Sequence, residues 1–281
     1  VNYKPCQARS FLYRLDLVPF YTAYLRWLSH LSARLGVETT RRIWQDAFAG
    51  YDDSLLMSIL SSGWQQAASA DAGKTAASLD ALVAEFFPAT DRELTGVEAK
   101  ALIEAAPPVA QILKLFSRTA VEKEISAYAA LHLRFDGLAR LAGQLIEHHG
   151  KQGELIVYDL MTASRLAANK GVTGSVEAFI ADFIAEPETP NLFSAGLEFT
   201  VVRSSAREAL VHVRACEWAR YFRERHSQVG YLMACSTDEV AYKAFNPDLR
   251  MQRTHTLMEG AGLCDFWIHA VDEKAKPGTS G

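Results

Sequence analysis

The feature that most constrains this chain is a change of hydrophobic period near residue 191. Upstream, apolar residues recur every three or four positions, as in Phe20, Tyr24, Trp27, Leu28, Leu31 and Leu35, and again in Ile125, Tyr128, Leu131, Leu138, Leu141 and Leu145. That spacing puts an apolar stripe on one side of a helix. Downstream, residues 197–203 and 209–215 alternate and are rich in Val and Phe, the period of strands with one covered face. Helices first and strands later predict the α+β class, a helical N-terminal part followed by a mostly antiparallel sheet with inserted helices.

Local punctuation sharpens the outline. Gly36 is placed to stop the first helix, residues 38–48 and 53–66 read as two more, and the Ala/Ser/Gly-rich stretch 67–75 reads as a surface connection. Ser78 is a candidate cap for a helix over 79–87, and Thr95 with Glu98 forms a capping box ahead of a helix that Pro107 and Pro108 interrupt. Long helices are expected over 121–149 and 154–169, and Ser175 caps a shorter one to about 185. Pro187 and Pro190 then mark the strongest boundary. The expected division is a helical region over 1–190, serving as lid or oligomerisation layer, an α+β catalytic module over 191–272, and a disordered Gly/Pro/Ser tail over 273–281. Within the module, Ser204 and Ser205 separate two strands, helices follow at 217–225 and 237–245, and residues 250–257 and 263–270 form a last hairpin across Gly260, Ala261 and Gly262.

Composition narrows the function classes. A net charge of −4, with bases interleaved among acids, gives no field to attract nucleic acid or an anionic membrane. No apolar run approaches the roughly 18–20 residues of a membrane span, and no leader pattern is present, so a cytoplasmic protein is expected. Cys6, Cys216, Cys235 and Cys264 are too few for a disulfide framework and read as free thiols. There is no glycine-rich phosphate loop, no His-Glu-x-x-His helix and no Gly-x-Ser-x-Gly elbow. The adjacent His148 and His149 precede Gly150, where they complement a helix dipole. Trp27, Tyr24, Trp44 and Trp64 read as core.

What remains is the succession Cys216-Glu-Trp-Ala-Arg-Tyr-Phe, then Cys235-Ser-Thr-Asp238, then Arg253-Thr-His-Thr-Leu-Met-Glu-Gly260, then Cys264-Asp-Phe266. In order and spacing, over roughly residues 195–270, it resembles the L-2-amino-thiazoline-4-carboxylic acid hydrolase family. One departure is Leu263, where the family places a second cysteine, so a vicinal thiol pair is excluded. The resemblance implies a small-molecule substrate, a cyclic isothiourea or related five-membered N-heterocycle opened by hydrolysis, and no cofactor.

If Leu257 pairs with Leu263, then Thr256 opposes Cys264, His255 opposes Asp265 and Thr254 opposes Phe266. Thr254, Thr256, Cys264 and Phe266 then share one face, and Arg253, His255, Asp265 and Trp267 the other; a slip of one residue would set Cys264 beside His255. The functional reading makes Cys264 the nucleophile, its thiolate favoured by a helix N-terminus or by Arg253. Asp265 orients the substrate amine or acts as base, Arg253 binds the carboxylate, and Thr254, Thr256, Cys216, Cys235 and Asp238 complete the substrate site. The bland alternatives are core thiols, strand-forming threonines, a surface Arg253–Asp265 pair and, for Glu217 and Asp238, acids at helix starts. A zinc centre of three cysteines with Asp265 or His255 is a further option, although separations of 19 and 29 residues lack any Cys-x-x-Cys pair. A non-catalytic small-molecule sensor is the rival from another class.

Overall fold

The computed structural model describes residues 10–51, 54–61, 63–66, 75–87, 94–115, 121–168, 172–185 and 191–271. The connection read at 67–75, apart from Thr75, lies outside the described residues, as do Pro88, Pro187, Pro190, Cys6 and the tail. The chain forms two compact units, Ser10–Leu160 and Met161–Gly281.

The first unit is mainly helical, as the α+β reading expects of the N-terminal part, and also carries a small three-stranded sheet. It opens with β1 (Ser10–Leu15), whose Phe11 and Leu15 are buried while Leu12 faces out. Asp16 then caps α1 (Leu17–Leu35) by accepting the Val18 N–H at 3.1 Å. The buried side of α1 carries Tyr21, Tyr24, Leu25, Trp27, Leu28 and Leu31. Each large side chain buried there contributes about 1.5–3 kcal/mol. Gly36 ends α1 with φ 78°, a conformation that costs glycine nothing, and α2 (Val37–Phe48) starts at once. Trp44 of α2 packs edge-on against Tyr24 and donates its indole N–H to the Leu102 carbonyl at 3.0 Å.

Next come α3 (Ser54–Leu60), the two-residue β2 (Gln65–Gln66) and α4 (Thr75–Phe86), which begins ahead of the Ser78 cap expected from sequence. The Thr95–Glu98 capping box opens α5 (Gly96–Ala105) as expected, and Pro107 starts α6 (Pro107–Leu115) in the first turn, where a missing N–H is harmless. β3 (Val121–Ser126) occupies what reads as the start of a long helix. Its Ile125 and Val121 pair with Phe11 and Leu15, making a three-stranded sheet of order β1-β3-β2. Ser126 accepts the Ala129 N–H and launches α7 (Ala127–His149); α8 (Lys151–Ala168) follows after Gly150, φ 52°. His148 pairs with Asp46 at 3.1 Å.

The second unit carries α9 (Val176–Ile184), capped by Ser175 as expected, and the short α10 (Leu192–Gly196), capped by Asn191. β4 (Leu197–Ser205) and β5 (Glu208–Cys216) are antiparallel, and Ser204 and Ser205 belong to β4 itself, so the turn falls at 206–207. After α11 (Glu217–Arg225) the chain makes a π-helical turn at Tyr231–Cys235, then α12 (Asp238–Phe245), β6 (Leu249–Gln252), a 3-10 turn at Leu257–Glu259 and β7 (Cys264–Ala270). β7 lies between β5 and β6 in an antiparallel sheet of order β4-β5-β7-β6. No helix among the described residues is long and apolar enough to cross a membrane.

The α7–α8 junction is built for a residue without a side chain. A Cβ on Gly153 would lie 2.2 Å from the Leu145 carbonyl oxygen and 2.9 Å from the Ile146 Cα, backbone atoms that cannot swing aside. Gly153→Ala is expected to lower the melting temperature by several degrees, since overpacking of this kind costs about 1–3 kcal/mol. An unchanged calorimetric midpoint would show that the junction opens freely.

Candidate active site

The site is organised by β7, because pairing on both edges fixes its two faces. Cys264, Phe266 and Ile268 stand opposite Val213, Val211 and Ala209 of β5, all three buried. Asp265, Trp267 and His269 stand opposite His212, Leu210 and Glu208 on the other face. α9 packs against β5 and β7, and its Phe183 stacks on Phe199 of β4, the residue opposite Val213. Tyr242 and Phe245 of α12 close around Phe179 at ring separations of 5.1 and 4.9 Å.

The last hairpin differs from the expected one. β6 pairs Leu249 with Ala270 and Gln252 with Trp267, one residue away from the pairing read from sequence, and it ends at Gln252. From Arg253 to Thr256 the backbone leaves the ladder, so side chains no longer alternate as in a strand. Arg253 turns to the side of Cys264 and Phe266, whereas Thr254 and His255 turn to Asp265. The expected faces of Arg253 and Thr254 are therefore exchanged.

Arg253 has a side chain only 6% exposed. It donates from Nη1 to Asp238 Oδ2 at 2.9 Å and from Nη2 to the Cys235 carbonyl at 3.1 Å, and lies 5.1 Å from the Phe266 ring centre. A second guanidinium flanks the same carboxylate: Arg165 Nη2 is 3.8 Å from Asp238 Oδ1, and its Nε donates to the buried Thr237 hydroxyl at 3.5 Å. Burial pushes the Asp238 carboxyl up, opposed by Arg253 and Arg165. For Arg253 burial favours loss of the proton, but the surrounding groups, Cys235 and Asp238 foremost, more than reverse it and hold the guanidinium charged. Tyr242 is pushed up by burial and then by the nearby Asp238.

Two of the three late thiols share this neighbourhood. Burial pushes the Cys235 thiol up to about 12, Asp238 adds to the rise, and Arg253 opposes it. Cys264 is also pushed up by burial, against the pull of the Leu257 N–H, which donates to its sulfur at 3.1 Å, and of Arg253. Cys235 ends the π-helical turn instead of opening α12, so the helix start expected to favour its thiolate begins at Asp238. Cys216 takes another role. Alternation along β5 sends it to the face opposite Cys264, and its sulfur accepts the Ala219 N–H at 3.4 Å as the cap of α11. Among the described residues no three His, Cys, Asp or Glu side chains group as metal ligands.

Asp265 serves the loop. Its carboxylate accepts from the Thr254 N–H at 2.9 Å, the His255 N–H at 2.6 Å and the Thr254 hydroxyl. Partial burial raises its pKa, but these bonds more than offset that and hold the carboxyl below its ordinary value. Thr256 is buried and accepts the Glu259 N–H at 3.0 Å, capping the 3-10 turn. Arg165, Thr237 and Tyr242 are neighbours that the sequence reading did not assign to the site, whereas it did set Phe266 on the face of Cys264. Tyr242 follows Asp238 by one helical turn, a spacing visible in the sequence, whereas nothing local marks Arg165.

Two outcomes follow. At pH 7 a thiol of pKa about 12 is ionised to only about one part in 10⁵. Iodoacetamide should therefore leave Cys235 and Cys264 unmodified in the folded protein and alkylate them after denaturation; rapid modification of either under native conditions, read by peptide mass, would contradict this environment. Asp265 titrates lower folded than unfolded, so its stabilisation is present above the unfolded value of about 3.9 and lost as pH falls through the folded value. Asp265→Ala should melt below wild type at pH 7 and converge with it in acid; a gap that persists in acid would refute the carboxylate clamp.

The description L-2-amino-thiazoline-4-carboxylic acid hydrolase belongs to a family model that matches residues 121–268. No curated protein and no solved structure matches the chain. The match starts well upstream of the resemblance read over 195–270, taking in β3, α7, α8 and Arg165 as well as the late hairpin. Spanning more than half of the chain, it establishes that this protein belongs to the L-2-amino-thiazoline-4-carboxylic acid hydrolase family.

Proposed function

We propose that the protein hydrolyses a small cyclic amidine or isothiourea acid, of which 2-amino-thiazoline-4-carboxylate is the type compound. The family places the chain among hydrolases. The observation that carries the finer reading is the guanidinium of Arg253, held by Asp238 and the Cys235 carbonyl and lying over the Phe266 ring, beside the half-buried Cys235 and the buried Cys264. A substrate carboxylate would meet the charged guanidinium of Arg253 there. The planar fork of arginine suits such a group.

In this reading the carboxylate lands on Arg253 and the flat ring lies toward Phe266, with Cys264 and Cys235 beside it. Cys264 is the candidate to meet the electrophilic ring carbon. Asp238 keeps Arg253 in place, Thr254 and Thr256 hold the loop that presents it, and Asp265 fixes that loop from the other face. Cys216 contributes by starting α11.

The test is direct. The protein incubated with 2-amino-thiazoline-4-carboxylate should consume the ring and yield a product heavier by one water, read by mass spectrometry. Arg253→Gln should raise KM by about tenfold or more, because charge-assisted hydrogen bonds of about 1.5–3 kcal/mol are lost. Cys264→Ser should abolish turnover if the thiol attacks and spare it if water does. Wild-type protein that leaves the ring intact, or Arg253→Gln with unchanged kcat/KM, would defeat the proposal.

A further inference from the structure

On the face of the sheet that carries Cys264, α9 lays a line of aromatic rings beside α12. Phe179 meets Phe245 and Tyr242 at ring separations of 4.9 and 5.1 Å, and Phe183 meets Phe193, Phe199 and Tyr242 at 5.6, 6.2 and 6.3 Å. The core under α9 is made by other residues, since Val176 and Ile180 are its buried side chains. Phe193 is 40% exposed and the other five rings are half-buried. Contiguous rings left partly in water form an apolar patch of the kind that marks a binding surface. Two connections tie this patch to the arginine site. Tyr242 follows Asp238 by one turn of α12, so their Cβ atoms are about 5–6 Å apart, and Asp238, Arg253 and Arg165 all lie close enough to act on its phenol. At the other end Phe199, Val213 and Cys264 stand in one row across β4, β5 and β7. Two strand spacings, about 10 Å, separate Phe199 from Cys264. The rings therefore run from the carboxylate that holds Arg253 to the row of the thiol, a span that one substituted heterocycle covers.

We infer that the preferred substrate is a cyclic amidine or isothiourea acid carrying an aryl group on the ring carbon next to the one that bears the carboxylate, and that Tyr242, Phe183 and Phe199 select it. The inference rests on the hydrolase reading above and names the substrate class within it. With the carboxylate on Arg253, a group on the adjacent ring carbon starts nearest to Asp238 and so to Tyr242. A group on the exocyclic nitrogen, across the ring, starts farthest from them. An aryl group suits the patch because flat rings meet one another edge-on or offset at centre separations of about 4.5–7 Å, the range already spanned by the rings of α9 and α12. Seating it would cover apolar surface that the fold leaves open, whereas a bare five-membered ring held at Arg253 is too short to do so.

Two acids test the assignment on the full chain: 2-amino-thiazoline-4-carboxylate and its 5-phenyl derivative, each followed by steady-state kinetics of ring consumption. Wild type should show kcat/KM at least about tenfold higher for the phenyl compound, most of it through a lower KM, the effect expected when an aromatic ring leaves water. Phe183→Ala should bring the two values together. Phe199→Thr, on an edge strand whose backbone suits threonine, should do the same and carries the test if Phe183→Ala does not fold, as read by thermal melting. A wild type that treats the two acids alike or favours the bare one, or a preference undiminished in whichever variants fold, overturns this inference and leaves the hydrolase reading standing. Wild-type protein that opens neither ring overturns that reading and the substrate class together.

Discussion

A guanidinium with 6% of its side chain exposed is costly to bury, and the second unit is arranged around meeting that cost. Removing one partner from a buried ion pair destabilises by about 3–5 kcal/mol, because the surviving charge is stranded away from water. Asp238 is therefore required wherever Arg253 goes, and the chain delivers it in the first turn of α12, where an acid also complements the helix dipole. The Cys235 carbonyl, free to accept because its backbone closes a π-helical turn, takes another of the arginine donors. These bonds bring α12 and the turn before it to the end of β6, and the thiols of Cys235 and Cys264 come with them. The same low-polarity surroundings that strengthen the pair suppress ionisation of the sulfur groups beside it.

The shortness of β6 is what gives one loop two faces. In a longer strand Arg253 and His255 would point the same way and Thr254 the other. Ending the ladder at Gln252 frees the next residues from alternation, and the Asp265 carboxylate then captures the two backbone N–H groups that have lost their strand partners. The substitution is economical: a side chain of β7 replaces backbone acceptors of a neighbouring strand, and the polar groups stay satisfied.

Much of this was readable in the residues. The period change announced the β4–β5 pair, Ser175 and the Thr95–Glu98 box announced helix starts, and the Cys-Asp-Phe segment announced both β7 and the family. β3 was not, because Val-Glu-Lys-Glu-Ile-Ser contains good helix formers and Ile125 falls in step with Tyr128 and Leu131; only its pairing with β1, far away in sequence, makes it a strand. The hairpin failed for a related reason. Thr254 and Thr256 favour strands locally, but register is a tertiary property, and the hydrogen bonds of Asp265 outweigh a propensity of tenths of a kcal/mol. The grouping of Cys235 with Cys264 without Cys216 follows from strand parity once the register is known, and no local pattern carries it.

β4 has a consequence that reaches beyond the single molecule. It is an edge of its sheet, the position from which protein chains most readily recruit foreign strands into fibres. Its ladder to β5 is interrupted twice, at Glu198/Phe199 and at Val201/Arg203, and most of its outer residues are exposed and polar. Such a border is irregular and polar, a poor template for an incoming neighbour.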